Sequence, residues 1–141
     1  MNKKQYRRME LIGKGGSCKV YKVQALDSGT IYAMKKVAFE GEDECAVEGY
    51  KNEIQLLNTL EGNKSIIRLI ASEIIESKEL LYMIMEYGEC DLSHLVKPDS
   101  QLLTMKQIST FWKDMLKSVE AIHALNIIHS DLKPAVHPYT M

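Results

Sequence analysis

Three short segments of the sequence carry residues that could contact a polyphosphate or move a proton. The first is the glycine-rich run GKGGSCKV, residues 13–20, called the flap below. Glycines let a backbone approach phosphate oxygens closely and offer amide N–H groups to them, although glycines also make ordinary turns. The run could also be a dinucleotide-binding turn, which requires the glycines to open a helix. Here they lead into the alternating, β-branched segment KVYKV, which favours a strand–turn–strand structure instead.

The second candidate is Lys35, which lies among apolar residues in the strand-like segment IYAMKKVAF. A lysine in the middle of such a strand needs a counter-charge or a bound anion unless it faces solvent. Alternation alone leaves open whether Lys35 or its neighbour Lys36 is the solvated one. Glu53 is the expected partner of Lys35, because it shares a predicted helical face with Tyr50 and Leu57 that should pack on the sheet. The alternative is that Glu53 is an ordinary solvated helix carboxylate.

The third candidate is the segment HSDLKPA, residues 129–135, which follows two isoleucines. Asp131 and Lys133 are two positions apart in a loop that Pro134 holds extended. An aspartate in such a loop can accept a hydroxyl proton while the lysine neutralises phosphate charge.

The hydrophobic pattern predicts the elements that would position these residues. Alternation from Gln5 to Phe39, broken by the flap and by a turn at residues 27–29, predicts three antiparallel strands. Apolar residues then recur every three or four positions from about Asp43 to Leu60, which predicts a helix. Two further strands are predicted at residues 66–75 and 80–87, and a short helical turn at residues 92–96. We therefore expect an α+β fold.

The segment from Thr104 to Leu125 is predicted to be a long helix that begins the helical part of the fold. Thr104 and Gln107 fit a capping box, in which each side chain accepts from a backbone N–H group of the first turn. One apolar stripe is expected to pack into a core, with Trp112 on its flank. The stripe consists of Ile108, Phe111, Met115, Val119 and Ile122.

Composition and charge narrow the classes of partner. Hydrophobic residues make up 45% of the 141 residues and charged residues 26%, which is typical of a soluble globular protein, and the net charge is −1. We therefore expect neither nucleic acid nor a membrane as a partner. No run of about 18 apolar residues could span a bilayer. Cys18, Cys45 and Cys90 are far apart and odd in number, which favours reduced thiols in a cytosolic or nuclear protein.

The sequence resembles the eukaryotic protein kinase domain, because four features follow one another in the order of that family. They are the flap, the strand lysine Lys35, the helix glutamate Glu53 and the loop that contains Asp131. The resemblance extends from about Tyr6 to Ala135. Within that family the chain resembles the monopolar-spindle (TTK-type) dual-specificity kinases of the mitotic checkpoint. The segments that carry this likeness are GKGGSCKVYKV, YKNEIQLLNTL, IIRL, YMIMEYGECDL and FWKDML leading to IIHSDLKPA.

The resemblance implies a kinase N-lobe, with five antiparallel strands and one helix, over residues 1–88 through the hinge. Residues 89–135 would begin the helical C-lobe, and residues 136–141 form a divergent tail. It also implies ATP-dependent phosphorylation of serine or threonine, with tyrosine as a second acceptor, on protein substrates. The implied location is the nucleus, the kinetochore or the cytoplasm.

The resemblance assigns roles to individual residues of an ATP site. Lys35 would grip the α- and β-phosphates and be held by Glu53, Asp131 would be the catalytic base, and Lys133 would contact the γ-phosphate. Cys18 stands where the family usually has its third glycine. The other residues implied to contact ATP are Ile12, Gly13, Lys14, Gly15, Gly16, Val20, Ala33, Met85, Glu86, Tyr87, Gly88 and Asp91.

The sequence departs from the family pattern after Ala135. The complete family domain binds Mg²⁺ through an asparagine at the next position and through a later Asp-Phe-Gly segment. This sequence has Val136 at the first place and ends before the second, so we expect no metal ligand in this chain. The expectation is therefore an incomplete and inactive part of a kinase, with a partner covering the exposed stripe of the long helix. The alternatives are a non-catalytic fragment that binds ATP or a partner, and an unstable by-product.

Overall fold

The computed structural model describes residues 4–41, 44–88, 90–91, 103–130, 132 and 138–139. The chain divides into two units. The first consists of Met1–Gly62 with Ile67–Tyr87, and the second of Asn63–Ile66 with Gly88–Met141.

The first unit is a five-stranded sheet with one helix. The strands are β1 (Tyr6–Lys14), β2 (Cys18–Ala25), β3 (Ile31–Ala38), β4 (Leu69–Ile75) and β5 (Leu80–Glu86), and α1 is Glu44–Thr59. Neighbouring strands are all antiparallel, in the order β1-β2-β3-β5-β4, and a 3-10 turn at Glu76–Lys78 connects β4 to β5. The predicted α+β fold, with five strands and one helix in this part of the chain, is confirmed.

The strand register decides which side chains share a face of the sheet. Lys35 lies directly opposite Val20 of β2 and Met83 of β5, so these three side chains point to the same face. Lys36 points to the other face, where its Nζ lies 5.9 Å from the centre of the Tyr82 ring. The register therefore settles the alternative that the sequence left open between the two lysines.

Helix α1 packs on the face that carries Lys35. The fully buried core of this face consists of Val37, Leu81 and Met83. Three side chains of α1 pack against that core at helical spacing, and they are Tyr50, Ile54 and Leu57. The apolar stripe of α1 can be buried only by turning it toward the sheet, and this orientation also brings Glu53 toward β3.

The opposite face of the sheet is covered by long polar and aromatic side chains. Val23 and Ile84 are fully buried on this face, although no helix packs there among the described residues of the first unit. The Arg8 guanidinium lies 5.1 Å from the centre of the Tyr21 ring, and Tyr6 packs edge-on against Tyr32. Amphipathic side chains of this kind cover apolar surface with their stems and rings and keep their charged heads in water.

The second unit contains the long helix α2 (Met105–His123). The predicted capping box is present: Thr104 Oγ1 accepts from the Gln107 N–H at 3.3 Å, and Gln107 Oε1 accepts from the Thr104 N–H at 2.9 Å. A short antiparallel pair of strands, β6 (Cys90–Asp91) and β7 (Pro138–Tyr139), was not predicted. The predicted turn at residues 92–96 lies outside the described residues. Among the described residues, no helix combines the length and the apolar character needed to cross a bilayer.

Of the apolar stripe predicted on α2, only the residue nearest the C-terminal end of the helix is buried. Ile122 is buried, and Phe111, Met115 and Val119 are half-buried. Ile108 is 45% exposed, which corrects the prediction for that residue. Ile108 belongs instead to an exposed row with helical spacing that consists of Met105, Ile108, Trp112 and Leu116.

The core of the first unit can be tested with two residues that face each other across β4 and β5. Leu81 is 1% exposed and Ile74, its partner in the register, is 37% exposed. We expect Leu81→Ala to lower the free energy of unfolding by about 2–5 kcal/mol, because the deletion leaves a cavity beneath α1. Ile74→Ala should lower it by clearly less, and urea denaturation of both variants is the measurement. Equal losses would contradict this position of the core.

Candidate functional site

An ion pair joins β3 to α1 at the centre of the candidate site. Lys35 Nζ lies 2.6 Å from Oε1 and 2.7 Å from Oε2 of Glu53, so one ammonium group donates to both carboxylate oxygens. The Lys35 side chain is 19% exposed and that of Glu53 is 38% exposed. Charge-assisted hydrogen bonds of this length are among the stronger ones in proteins, although partial exposure to water weakens the pair. The contact fixes the position of the lysine head relative to both elements.

Lys35 keeps a capacity to bind an anion in this arrangement. An ammonium group has three N–H donors, so Lys35 can retain both contacts with Glu53 and still donate to a further oxygen. Its flanking neighbours in the register, Val20 and Met83, are apolar. Because apolar neighbours exclude water, an anion placed there would interact with the charge more strongly than at the open surface.

The flap forms a tight turn between β1 and β2. The Gly15 N–H donates to the Cys18 carbonyl at 2.9 Å, and the Ala38 N–H donates to the Ser17 carbonyl at 3.0 Å. A Cβ atom added to Gly15 or Gly16 would meet no atom within 4 Å, and neither residue has a positive φ. Neither packing nor backbone geometry therefore requires glycine at these two positions, and the space beside the turn is open to a ligand.

An apolar surface continues along the same face of the sheet away from Lys35. Gly13 lies opposite Val20, and Ala33 lies opposite Met85. Ala33 is buried, Val20 and Met85 are half-buried, and Ile12 at the end of β1 is 44% exposed. Small and branched apolar side chains in this arrangement form a surface on which a flat aromatic ring can lie.

Glu86 is the last residue of β5, and both its backbone and its side chain form hydrogen bonds with Arg68, the residue before β4. The Glu86 N–H donates to the Arg68 carbonyl at 3.0 Å, and the Arg68 N–H donates to Glu86 Oε1 at 3.1 Å. Tyr87 follows and closes the first unit, and Gly88 belongs to the second. Glu86 is therefore held in place at the end of the sheet.

Several predicted site residues are not brought together with Lys35 by the described part of the structure. Lys14 is exposed and lies opposite Lys19, on the other face of the sheet. Asp91 lies in β6, where only its backbone is described. Asp131 and Lys133 lie outside the described residues, so their predicted catalytic roles stay predictions.

A magnesium ion does not fit the residues of this chain that the structure describes. Among them, no three histidine, cysteine, aspartate or glutamate side chains are close enough together to hold a metal ion. Val136, at the position where the family pattern has its metal-binding asparagine, carries no side-chain oxygen.

Comparison with protein-family models matches residues 6–135 to the family described as "Protein kinase domain". The chain belongs to the protein kinase family. The likeness predicted from the flap, Lys35, Glu53 and the aspartate loop is thereby confirmed over the range that the sequence indicated. A protein kinase domain uses ATP and Mg²⁺.

Curated relatives support the narrower resemblance to TTK-type kinases. The kinase chain is 42% identical over 132 residues to "Serine/threonine-protein kinase mph1" of Schizosaccharomyces pombe. This match covers 93% of this chain and 20% of that protein. It is 40% identical over 136 residues to "Serine/threonine-protein kinase MPS1" of Saccharomyces cerevisiae, a match that covers 96% of this chain and 17% of that protein. It is also 40% identical over 136 residues to "Dual specificity protein kinase TTK" of Mus musculus, a match that covers 96% of this chain and 15% of that protein. The chain thus spans a fifth or less of the length of these relatives.

Two sets of contacts in the kinase site were not predicted. Lys22 lies 3.4 Å from Glu10 Oε1, and its Nζ lies 4.9 Å from the centre of the Tyr87 ring. The pKa of Lys22 is raised, first by the negative charge that Tyr87 acquires on ionisation and then by Glu10. The register places Lys22 opposite Ala33, on the face of the sheet that carries Lys35, and no sequence signal identified its partners. The second set is a hydrogen bond between Ser17 and Tyr50, which are 33 residues apart in the sequence.

Cys18 of the kinase flap is half-buried at the start of β2. Burial raises the pKa of its thiol above the ordinary value, and the Glu53 carboxylate acts in the same direction. The Lys35 ammonium opposes both effects by favouring the thiolate. Burial is the largest of the three, so at neutral pH the thiol is protonated to a greater extent than a free cysteine.

This raised pKa predicts a pH profile for alkylation of Cys18. Because only the thiolate reacts, iodoacetamide should modify Cys18 more slowly than the exposed Cys45 at neutral pH. The midpoint of the rate–pH profile for Cys18 should lie above the ordinary thiol pKa. Lys35→Met should move the midpoint further upward, because it removes the charge that lowers the pKa. Peptide-resolved mass spectrometry measures both rates, and a midpoint at or below the ordinary value would contradict the burial of this thiol.

Proposed function

We propose that this chain is the ATP-binding part of a kinase that phosphorylates serine and threonine, with tyrosine as a second acceptor, on protein substrates. The observation that carries the proposal is the position of Lys35. Its ammonium group is held by both oxygens of Glu53 on the sheet face that the glycine turn borders. A fixed cation next to a glycine turn with open space at Gly15 and Gly16 suits the phosphates of a nucleotide.

The phosphate end of the proposed site combines one side chain with the backbone of the flap. Lys35 would donate its third N–H to an oxygen of the α- or β-phosphate while Glu53 holds the other two. The lack of side chains at Gly15 and Gly16 would let phosphate oxygens approach the backbone, since no neighbouring atom fills that space. Charge on the lysine and dipoles on the amides would act together on the same group.

The adenine end of the proposed site is the apolar surface around Val20, Ala33 and Met85. The adenine ring would lie against this surface, with Ile12 at its border, and its edge would bond to the backbone of Glu86, Tyr87 and Gly88. Burial of the flat ring would supply affinity, whereas the backbone bonds would fix its orientation. Asp91 would contact the ribose by resemblance to the family.

The proposed transfer step depends on Asp131 and Lys133. Asp131 would accept the proton of the acceptor hydroxyl while the oxygen of that hydroxyl forms a bond to the γ-phosphorus. The bond between the γ-phosphorus and the leaving ADP would break. Lys133 would neutralise charge on the transferred group. Mg²⁺, when bound to a complete kinase domain, neutralises the charge on the phosphates.

A second candidate function is ATP binding without transfer. Val136 favours it, because a valine cannot donate an oxygen to a metal ion at the place where the family has an asparagine. The exposed row of Met105, Ile108, Trp112 and Leu116 is where a covering partner would bind in that case. A role in the mitotic checkpoint, and a location at the kinetochore, in the nucleus or in the cytoplasm, stay predictions from the resemblance.

Two adjacent lysines on opposite faces of β3 provide a matched test. Lys35→Met should weaken ATP binding by the 141-residue chain about tenfold or more, because a charge-assisted bond to phosphate is lost. Adenosine binding should change little. Lys36→Met is the control and should leave both affinities unchanged, since Lys36 lies over Tyr82 on the other face. Isothermal titration calorimetry measures the four affinities.

The absence of ATP binding by the unmodified chain, or equal effects of the two substitutions, would contradict the proposal. Transfer of labelled phosphate to a protein substrate distinguishes the two candidate functions. A chain that binds ATP and depends on Lys35 but transfers no phosphate would be the non-catalytic fragment.

A further inference from the structure

We propose that Tyr50 is a positioning residue of this site, which joins the flap to α1 and so makes the site selective for phosphorylated nucleotides over the bare nucleoside. The inference rests on the proposed function, because it concerns how the ATP site is held ready. Tyr50 itself does not touch the reacting atoms in this account. It acts through Ser17 and through the Lys35–Glu53 pair.

The hydroxyl of Tyr50 reaches the turn of the flap. It lies 3.2 Å from Ser17 Oγ in a partly buried position, and either oxygen can donate to the other. The Ser17 carbonyl also accepts from the Ala38 N–H at 3.0 Å. Ser17 is therefore tied to the end of β3 through its backbone and to α1 through its side chain.

The ring of Tyr50 lies beside the ion pair at the centre of the site. Its centre is 6.0 Å from Lys35 Nζ, and the ring packs against the buried core below α1. Glu53 follows Tyr50 by three positions and so lies on the same face of the helix. One helix therefore carries both the partner of the lysine and the partner of the flap, and a displacement of α1 would disturb both contacts together.

The Ser17–Tyr50 hydrogen bond reduces the cost of ordering the flap when phosphate binds. A loop that is already held in place loses less conformational freedom on binding than a loop that must first be ordered. Adenosine carries no phosphate for the flap amides to contact, so its affinity should not depend on this order. The contact should therefore change the ratio of the ATP and adenosine affinities, which general damage to the fold would not do.

A double-mutant cycle tests the proposal. Tyr50→Phe keeps the ring and its packing but removes the hydroxyl, and Ser17→Ala removes the other oxygen. Each substitution should weaken ATP binding by about twofold to tenfold, the range for one net hydrogen bond, and leave adenosine binding unchanged. The double variant should be no weaker than either single variant, because both remove the same contact. Tyr82→Phe, which removes a tyrosine hydroxyl on the other face of the sheet, is the control and should change neither affinity.

Four outcomes of the cycle would overturn the proposal. They are unchanged ATP affinity in Tyr50→Phe, tighter ATP binding, equal loss of ATP and adenosine, and additive losses in the double variant. Any of these would mean that the hydrogen bond does not hold the flap ready for phosphate.

A ligand-free measurement separates this proposal from the proposed function. The Ala38 amide donates to the Ser17 carbonyl, so its hydrogen exchange reports how firmly Ser17 is held. Tyr50→Phe should accelerate exchange at Ala38 severalfold and leave exchange within the β4–β5 pair unchanged. If the unmodified chain bound no ATP, the proposed function would fail. The exchange rate at Ala38 would still show whether the Ser17–Tyr50 hydrogen bond holds Ser17 in place. Unchanged exchange at Ala38 would overturn the role of Tyr50.

Discussion

The ion pair between Lys35 and Glu53 is the interaction on which the rest of the first unit depends. A lysine flanked by apolar side chains in the middle of a sheet is tolerated only with a counter-charge close by, and Glu53 supplies that charge from another element. The pair requires α1 to lie on one face of the sheet in one orientation. The apolar stripe of α1 favours the same orientation, because this orientation packs Ile54 and Leu57 against the buried core of the sheet. Packing and electrostatics thus select one arrangement, and the cation is left able to bind an anion.

Local patterns were sufficient to predict β1–β5, α1 and α2. The period of two in β1–β5, the period of three to four in α1 and α2, and the Thr104–Gln107 capping box are all encoded within short windows of sequence. The orientation of Lys35 was not, because alternation is the same for either lysine until the register with Val20 and Met83 is known. The pairing of β6 with β7 and the exposure of Ile108 also depend on distant segments, so no local pattern could indicate them.

The two ends of the proposed site are built from different parts of the sequence and would bind the nucleotide through different interactions. The proposed phosphate end would use the charge of Lys35 and the open glycine turn, and both could be recognised from the residues alone. The proposed adenine end would use ordinary apolar side chains such as Ala33 and Met85, which have no chemical signature and were identified only through the family resemblance. The Ser17–Tyr50 contact joins residues of common types that are distant in the sequence, and only the fold could reveal it.

The proposed role of Glu53 is to hold Lys35 in position for phosphate. The direct test is ATP affinity across a cycle of Glu53→Gln and Lys35→Met in the 141-residue chain, with adenosine as the reference ligand. If Glu53 has this role, Glu53→Gln weakens ATP binding when Lys35 is present and has no further effect when Lys35 is replaced, with a coupling of about 1 kcal/mol or more. Equal losses from Glu53→Gln in both backgrounds would contradict it, because Glu53 would then act on the nucleotide or on the fold independently of the lysine.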